Sequence, residues 1–397
     1  MTALDDCFLH DRDRLRHHDS LELLRDGLAP ATKSIDVPFK QALGRVLAED
    51  VVAERSVPLR TNAAVDGYAY AREGGELRPV SLRIRAGDDV STLPDGTAAR
   101  IFTGAPVPLG ADIVAMQEDC EIVGDDIRLP TLRTGANIRR SGEDVAAGTM
   151  VVRSGTVIDA RHIARFASLG LQVTSVREPL RVALFSTGDE IGHDVLDANL
   201  PMIEALCDRL PVSVSTSAVL PDRRADVEGA LRRAAGSSDL VVTTGGASRG
   251  EEDHVLDVLD RIGRRKAWQI AVKPGRPLMF GTIGSCAFMG LPGNPVAAFV
   301  CFLLYTRPAI LRMAGAEWSD PPRFIIPAGF AHGSKPDRRE FLRGRIGGDG
   351  RLAKFERDGS GLISGLTGSD GLIEIAEETT RVEPGDMLPF MPFAGLV

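Results

Sequence analysis

In residues 241–254 (VVTTGGASRGEEDH), an apolar run is followed within a dozen positions by two adjacent glycines, a serine, an arginine and three carboxylates. Gly245 and Gly246 allow a tight turn, and the hydroxyl of Ser248 can hydrogen-bond a phosphate. Asp253 is suited either to bind a ligand or to cap the helix that follows. A glycine-rich turn without a complete P-loop or dinucleotide fingerprint is a weak signal, so the stretch indicates an anion site without specifying the anion.

A second loop of this kind, STGDEI at 186–191, also follows an apolar run. Three of its residues can approach an anion closely and two add carboxylates; they are Ser186, Thr187 and Gly188, then Asp189 and Glu190. In an open parallel sheet, ligands bind beyond the carboxyl ends of the strands, where helix N-termini direct their N–H groups outward. Both loops are predicted to lie at that edge.

Two further loops at this edge carry cations and prolines. The segment VKPGRP at 272–277 holds two basic side chains on a stretch stiffened by proline, and the segment LPGNP at 291–295 leads into an apolar helix. Asn294 is equally suited to cap that helix and to contact a ligand. Pro295 fits its first turn. The candidate binding residues here are Lys273, Arg276, Pro292, Gly293, Asn294 and Pro295.

A separate set of polar residues lies between 61 and 144, in loops with little helical or strand periodicity. Exposed turns explain each of them as well as a ligand site does. The candidates are Asp66, Thr103, Glu118, Arg139, Arg140 and Asp144.

Together, carboxylates, glycine-rich turns and fixed cations on one sheet edge favour a nucleotide-like anion held partly through a divalent metal. Carboxylates that face a phosphate without a cation would repel it, so Mg²⁺ is the expected bridge.

The elements that must position these loops differ along the chain. The segments SLELLRDGLAP, FKQALGRVLAEDV and RHIARFASLGL have helical spacing, whereas residues 46–150 contain short β-branched runs between turn residues. From residue 181, strands alternate with helices, which predicts a parallel sheet covered on both faces. The tail from about 322 again contains short strands. The fold class is therefore α/β plus β in several domains, and the β-rich segment is inserted between two parts of a helical domain.

Composition limits the function classes. A chain of 397 residues exceeds what one core usually organises, and a net charge of −8 gives no basic surface for nucleic acid. The five cysteines form no C-x-x-C pair, and the charged N-terminus does not resemble a signal peptide. No apolar run approaches the length of a bilayer span, so we expect a cytoplasmic protein without membrane partners. His17 and His18 are expected on a solvated helix face rather than at a metal.

Eight segments, in this order, resemble the signature segments of the MoeA family of molybdopterin molybdenumtransferases, to which the C-terminal part of gephyrin also belongs. They are VDGYA, TGAPVP, MQED, IRRSGED, ALFSTGDE, TTGGASRGEEDH, AVKPGRP and GLPGNPVA. The resemblance covers the chain from about residue 20 onward. It implies a helical, elongated domain (1–45 and 150–178), an inserted β-rich domain (46–149), a doubly wound molybdopterin-binding-like domain (179–317) and a C-terminal β domain (318–397).

The resemblance also implies an activity and partners. The reaction is insertion of molybdate into adenylylated molybdopterin with release of AMP and a requirement for Mg²⁺. The implied assembly is a homodimer in which the inserted domain of one subunit reaches the sheet edge of the other, and a contact with the molybdopterin adenylyltransferase is a further expectation.

Roles carry over position by position. Matching motifs direct Glu190, Asp222 and Asp253 toward Mg²⁺ or the nucleotide, and Lys273 and Arg276 toward anionic groups. Asp66, Thr103 and Asp144 are implied to complete the site from the partner subunit, and Ser364 in GSGLIS is a weaker match from the last domain.

Departures from the family pattern are few. The chain has NAAVDGYA where members commonly have NSAMDGYA, and it has Arg276 where a second lysine is common. Arginine still binds an oxyanion, with a bidentate fork in place of a point charge. The preference between molybdate and tungstate stays open.

Two rival functions remain at this stage. One is a molybdopterin adenylyltransferase, because the doubly wound domain alone resembles those enzymes too. The other is a non-catalytic pterin carrier or scaffold.

Overall fold

The computed structural model describes residues 14–188, 191, 196–246, 254–357, 359 and 361–397. Within these ranges the inserted β-rich segment, the α/β segment and the C-terminal segment each have a buried apolar cluster of their own, and a further cluster is shared by the last two. We use the names inserted domain, α/β domain and C-terminal domain for 46–149, 179–317 and 318–397; these boundaries stay predictions.

The α/β domain is built on a sheet that brings three of the candidate loops to one edge. The described strands follow the order Val212–Leu220, Leu180–Thr187, Leu240–Thr244, Cys286–Leu291, Pro277–Ile283 and Arg264–Gln269. The first four strands pair with one another in parallel. The strand Pro277–Ile283 pairs antiparallel with both of its neighbours, Cys286–Leu291 and Arg264–Gln269. The sheet is therefore parallel, as predicted, in its first four strands, and it continues with antiparallel pairing at one side. Only two residues separate Pro277–Ile283 from Cys286–Leu291, and such a connection makes a hairpin, with Gly284 at φ +60°.

Helices cover both faces of this sheet, as predicted. On one face, Ile203 and Leu206 of the helix Asn199–Cys207 pack with Val182 and Leu184 of the sheet. The opposite face packs against the helices Arg224–Ser237 and His254–Ile262. The inward sides of the sheet are therefore apolar on both faces, and polar groups are concentrated at its ends.

One long apolar helix runs through the core of the α/β domain. It comprises Pro295–Cys301, a π-helical turn Phe302–Thr306, and Arg307–Met313. By length and composition it could cross a membrane, with a mean hydropathy of 1.5, but 89% of its most apolar window is buried inside the protein. Core packing thus accounts for its apolar character.

The predicted helical domain contains more strand than expected. The helix Ala160–Leu169 is present, capped by Asp159 and ended by Gly170 at φ +74°. The helix predicted in FKQALGRVLAEDV is wrong: only a 3-10 turn, Phe39–Ala42, forms. Gly44 adopts φ +76°, and Val46 and Leu47 then form isolated β-bridges with Val157 and Val176. Two strand pairs surround these elements, Ser34–Pro38 with Val173–Arg177 and Val51–Val52 with Met150–Val152.

The inserted domain is rich in β-strands, as predicted. Its main described sheet has the order Ile113–Met116, Gly67–Tyr70, Ala98–Ile101, Leu77–Ile84, Asp126–Arg128 and Glu121–Val123. A short pair, Asn62–Ala63 with Ile138–Arg139, joins two of its candidate loops.

The C-terminal domain forms a second sheet that takes one strand from the α/β side. The order is Val272–Lys273, Arg339–Ile346, Gly371–Ile375, Met387–Pro392 and Phe324–Pro327, with Leu352–Lys354 paired to Arg339–Ile346. A small pair, His332–Gly333 with Arg381–Val382, lies beside it. Side chains of the α/β and C-terminal domains form one shared apolar cluster. In it, the rings of Phe299 and Phe393 pack edge to face, with their centroids 5.2 Å apart.

The first described helix, His17–Gly27, packs on the α/β domain and places His17 in the core. His17 is 2% exposed, and its Nδ1 lies 2.7 Å from the hydroxyl of Tyr305. The expectation of a solvated face is wrong for His17, because the apolar side of the helix faces the domain core. His18, one position on, keeps 73% of its side chain exposed.

Burial of His17 generates a pH prediction. Burial lowers its pKa to about 3, helped by the charges of Arg339 and Arg323. The unfolded chain binds a proton here near pH 6.5 that the folded chain does not, so stability falls as pH falls from about 6.5 toward 3. His17→Leu should remove a slope of up to about 1.4 kcal/mol per pH unit from urea titrations in this window.

The matched control is Tyr305→Phe. It removes the same hydrogen bond but keeps the imidazole, so we expect it to lower stability by about 1–3 kcal/mol while retaining the acid slope. Equal slopes in wild-type protein and His17→Leu would contradict the argument.

Candidate active site

Three of the predicted loops meet at the carboxyl edge of the α/β sheet. Ser186 pairs with Thr244, and Thr244 pairs with Leu291 in the next strand. A Cβ atom on Gly245 would lie 2.6 Å from the carbonyl oxygen of Thr187, and one on Gly293 would lie 3.3 Å from the Cα of Gly245. The loops therefore touch backbone to backbone, a contact that only glycine permits at these positions.

The hydroxyls predicted to bind a cofactor are turned into this edge. Ser186 is 1% exposed, and its Oγ accepts a hydrogen bond from Thr244 at 3.2 Å. Thr187 is also buried, and its Oγ1 has no partner among the described residues. Gly188 and Gly246 adopt positive φ angles of +148° and +62°, a backbone conformation that glycine adopts more readily than other residues.

The LPGNP loop is fixed from two sides. The Oδ1 of Asn294 accepts a hydrogen bond from the N–H of Val296 at 3.2 Å, and Pro295 stands in the first turn of the helix. The capping role predicted for Asn294 is therefore present. Asn199, from the start of another helix, donates from its Nδ2 to the carbonyl oxygen of Gly293 at 2.7 Å.

A cavity of about 540 Å³ opens between these loops and the C-terminal domain. Residues 273–277, 292–294 and 296–297 form one side, and residues 341–343, 354–355 and 359 form the other. Its size is that of a small-molecule site.

Among the residues that the structure describes, every charged side chain on the cavity wall is basic. Lys273 and Arg276 come from the α/β side, and Arg343 and Lys354 come from the C-terminal domain. The guanidinium of Arg276 donates twice to Oε1 of Gln269, at 3.0 and 3.2 Å, and these bonds hold it in place. Such a cavity favours an anionic ligand.

Arg343 and Lys354 were missed in the sequence. Arg343 is 9% exposed and donates to the carbonyl oxygens of Leu362, Arg357 and Gly359, so it organises the loop that leads to Ser364. Its only sequence signal was a charge at an inward position of the alternating strand EFLRGRI. Lys354 gave no such signal.

The candidates of the inserted domain lie in neighbouring loops. Asp66 Oδ1 accepts hydrogen bonds from the N–H and the hydroxyl of Thr103, both at 2.7 Å. These bonds hold the pKa of Asp66 below its usual value. Asp144 Oδ2 pairs with Arg165 at 2.7 Å. Backbone bonds from Gly104 to the carbonyl of Ala63 and from Ala64 to that of Asn137 join the segments that carry these side chains.

The structure groups the predicted residues only in part. Lys273, Arg276, Pro292, Gly293 and Asn294 line the cavity. The others that the structure describes stand beside it or elsewhere: Ser186, Thr187, Gly188, Gly245, Gly246 and Pro295 at the sheet edge, Asp222 just beyond the strand Val212–Leu220, Ser364 at the start of the helix Ser364–Thr367, and Asp66, Thr103 and Asp144 in the inserted domain. Asp189, Glu190, Ser248 and Asp253 lie outside the described residues.

The predicted metal site can be examined only through Asp222. In the ranges that the structure covers, no group of three or more His, Cys, Asp or Glu side chains could hold a metal ion. Carboxylates are nonetheless the donors that Mg²⁺ prefers, and Asp222 follows a parallel strand at the same edge as the other loops. Asp222 is the one predicted metal ligand that the structure describes, and the Mg²⁺ site stays a prediction.

Comparison with known proteins covers nearly the whole chain. Residues 15–170 match the MoeA N-terminal region (domain I and II), residues 183–312 a probable molybdopterin binding domain, and residues 326–393 the MoeA C-terminal region (domain IV).

Individual relatives are similar over comparable lengths. The molybdopterin molybdenumtransferase of Haemophilus influenzae is 33% identical over 381 residues, 90% of this chain and 94% of the relative. Molybdopterin molybdenumtransferase 2 of Mycobacterium tuberculosis is 33% identical over 387 residues, 90% of this chain and 95% of the relative. The crystal structure of the molybdopterin biosynthesis moeA protein of Pyrococcus horikoshii OT3 superposes with a TM-score of 0.84 at 27% identity, covering 96% of this chain and all of that one.

The glycine contacts at the sheet edge predict an effect on stability. Gly245→Ala should destabilise the protein by more than the roughly 1–2 kcal/mol of a positive φ alone, because its Cβ would meet Thr187. Gly284→Ala is the matched control, since Gly284 has φ +60° but open space around its Cβ position. Urea denaturation measures both variants, and equal losses would mean that the loops are not in contact.

Proposed function

Because this chain belongs to the MoeA family of molybdopterin molybdenumtransferases, we propose that it inserts molybdate into adenylylated molybdopterin and releases AMP, late in molybdenum cofactor biosynthesis. The observation that carries the proposal is the basic cavity between the α/β and C-terminal domains. Molybdate is a dianion and the adenylylated pterin carries a phosphoanhydride, so both substrates suit the four basic side chains that the structure describes on this wall.

The cavity wall combines cations with apolar surface. Phe341, Phe355, Val296 and Ala297 lie between the basic side chains, and most of the wall is apolar. Charges act more strongly where water is excluded, so this setting strengthens the attraction for an oxyanion. Positioning the oxyanion against the dithiolene is the main catalytic contribution that we assign to these residues.

The requirement for Mg²⁺ is part of the proposal. Asp222 would hold the ion together with Glu190 and Asp253, and the chemistry of the carboxylate donors supports this assignment. When bound, Mg²⁺ supplies charge neutralisation at the phosphoanhydride. Asp222 then orients the nucleotide end of the substrate at the sheet edge.

We further propose a homodimer with sites shared between subunits, in which Asp66, Thr103 and Asp144 of one subunit complete the cavity of the other. In support, Thr103 and Asp144 are exposed, whereas the described cavity walls come from the α/β and C-terminal domains alone. A contact with the enzyme that adenylylates the pterin also belongs to the proposal. So does a cytoplasmic location, which the free described cysteines Cys120, Cys207, Cys286 and Cys301 support.

The first test is AMP release from adenylylated molybdopterin by the purified protein. We expect release that depends on both molybdate and Mg²⁺, and Lys273→Ala should lower kcat/KM by about 10–100-fold, the value of one or two charged hydrogen bonds. Lys335→Ala is the control, since Lys335 is exposed and lies outside the cavity wall. ATP consumption would instead indicate the adenylyltransferase, and pterin binding without AMP release a carrier.

The second test concerns the shared site. Co-expressed Asp66→Ala and Lys273→Ala subunits, isolated as heterodimers by two different tags, should recover about half of the wild-type activity. One of their two sites would then combine an intact Asp66 with an intact Lys273 from the other subunit. Heterodimers as inactive as either variant alone would show that each site is built within one subunit.

A further inference from the structure

A buried carboxylate, Glu340, stands directly behind one of the cavity's cations. It is 1% exposed and lies in the strand Arg339–Ile346 of the C-terminal domain. Its Oε2 lies 3.5 Å from the ammonium of Lys273 and 3.1 Å from Nε2 of His332. Its Oε1 accepts two hydrogen bonds from Arg338, at 2.7 and 3.1 Å. The resemblance to the family assigned no role to this residue.

The backbone fixes Glu340 relative to Lys273. The strand Val272–Lys273 pairs in parallel with Arg339 and Glu340, with Lys273 opposite Glu340. The N–H of Arg339 donates to the carbonyl oxygen of Ala271 at 2.9 Å, which sets the register of this pair. Side chains of paired residues lie on the same face of a sheet, so the carboxylate meets the lysine without any loop movement.

His332 and Arg338 keep the carboxylate in place and ionised. Burial alone would raise the pKa of Glu340, but the hydrogen bonds from His332 and Arg338 and the charge of Lys273 outweigh it, so the pKa is lowered. Glu340 is therefore an anchored negative charge rather than a flexible partner.

The ammonium of Lys273 contacts Glu340 and also faces the cavity. Its side chain is 45% exposed and lines the cavity. An ammonium has three N–H donors, so a contact with Glu340 leaves two for an anion. A lysine side chain loses conformational entropy when it is fixed, and a partner that fixes it beforehand lowers this cost for the ligand.

We infer that Glu340 is a positioning residue: it holds the ammonium of Lys273 at the cavity wall, so that an oxyanion substrate meets a cation already in place. The inference rests on the proposed function, because it takes the cavity as the oxyanion site. It also predicts the direction in which the affinity for an anion changes when Glu340 is neutralised. Removing a negative charge near an anion site should tighten anion binding if only the field mattered, whereas loss of positioning weakens it.

The experiment is calorimetric titration of the full-length protein with molybdate. Glu340→Gln should raise the Kd for molybdate by about 5–20-fold, the size of one lost charge-assisted contact. Glu340→Asp keeps the charge for Arg338 and His332 but shortens the side chain by one methylene, so it should fold and still raise the Kd. An unchanged or lower Kd in a folded variant would overturn the inference.

The matched control is Glu374→Gln. Glu374 is a buried carboxylate of the adjacent strand, 6% exposed, that pairs with Arg323 and Arg339 rather than with Lys273. Its loss should lower stability but leave the Kd for molybdate unchanged. A rise in Kd equal to that of Glu340→Gln would show a general effect of sheet stability and overturn the positioning role.

A double-mutant cycle separates this inference from the proposed function. In a Lys273→Ala background, Glu340→Gln should no longer change the Kd, because Glu340 acts through the lysine. If Lys273→Ala weakens molybdate binding but Glu340→Gln does not, only the positioning role fails. If Lys273→Ala itself leaves the Kd unchanged, the assignment of the cavity to the oxyanion fails, and the inference fails with it.

Discussion

The cavity depends on one short strand pair between two domains. Val272–Lys273 leaves the α/β domain and pairs in parallel with Arg339 and Glu340 of the C-terminal sheet. This pair brings the basic residues of two domains to opposite sides of one space. The ion pair from Lys273 to Glu340 joins the two domains at this point, whereas the pairs from Glu340 to Arg338 and from Arg339 to Glu377 lie within the C-terminal domain and hold its side of the strand pair.

The sheet edge and the cavity wall differ in what determines their structure. At the edge, glycines let three loops approach to backbone contact, which leaves little room for side chains and turns the hydroxyls of Ser186 and Thr187 inward. At the cavity wall, long cationic side chains surround an open space; they project from strands and from a loop that is stiffened by prolines. Close packing sets the positions of the loops, and the charges face the ligand.

The positive cavity contrasts with the net charge of −8 on the whole chain. An anionic protein repels anions at long range, but screening confines that effect to about 10 Å at ordinary ionic strength. Selectivity for an oxyanion is therefore decided by the few cations within contact distance. Their positions, fixed by Glu340, Gln269 and the carbonyls around Arg343, matter more than the total charge.

The sequence by itself determined the alternation of strands and helices from residue 181, the three loops that meet at one sheet edge, and the capping by Asn294. Periodicity and turn chemistry are local properties, and they report which residues face inward within an element. It could not give the burial of His17, the antiparallel strands at one side of the sheet, or the cavity residues Arg343 and Lys354. Those features depend on which elements pack against one another. Only the tertiary structure decided that packing, because contacts between distant segments leave no periodic signal in the chain.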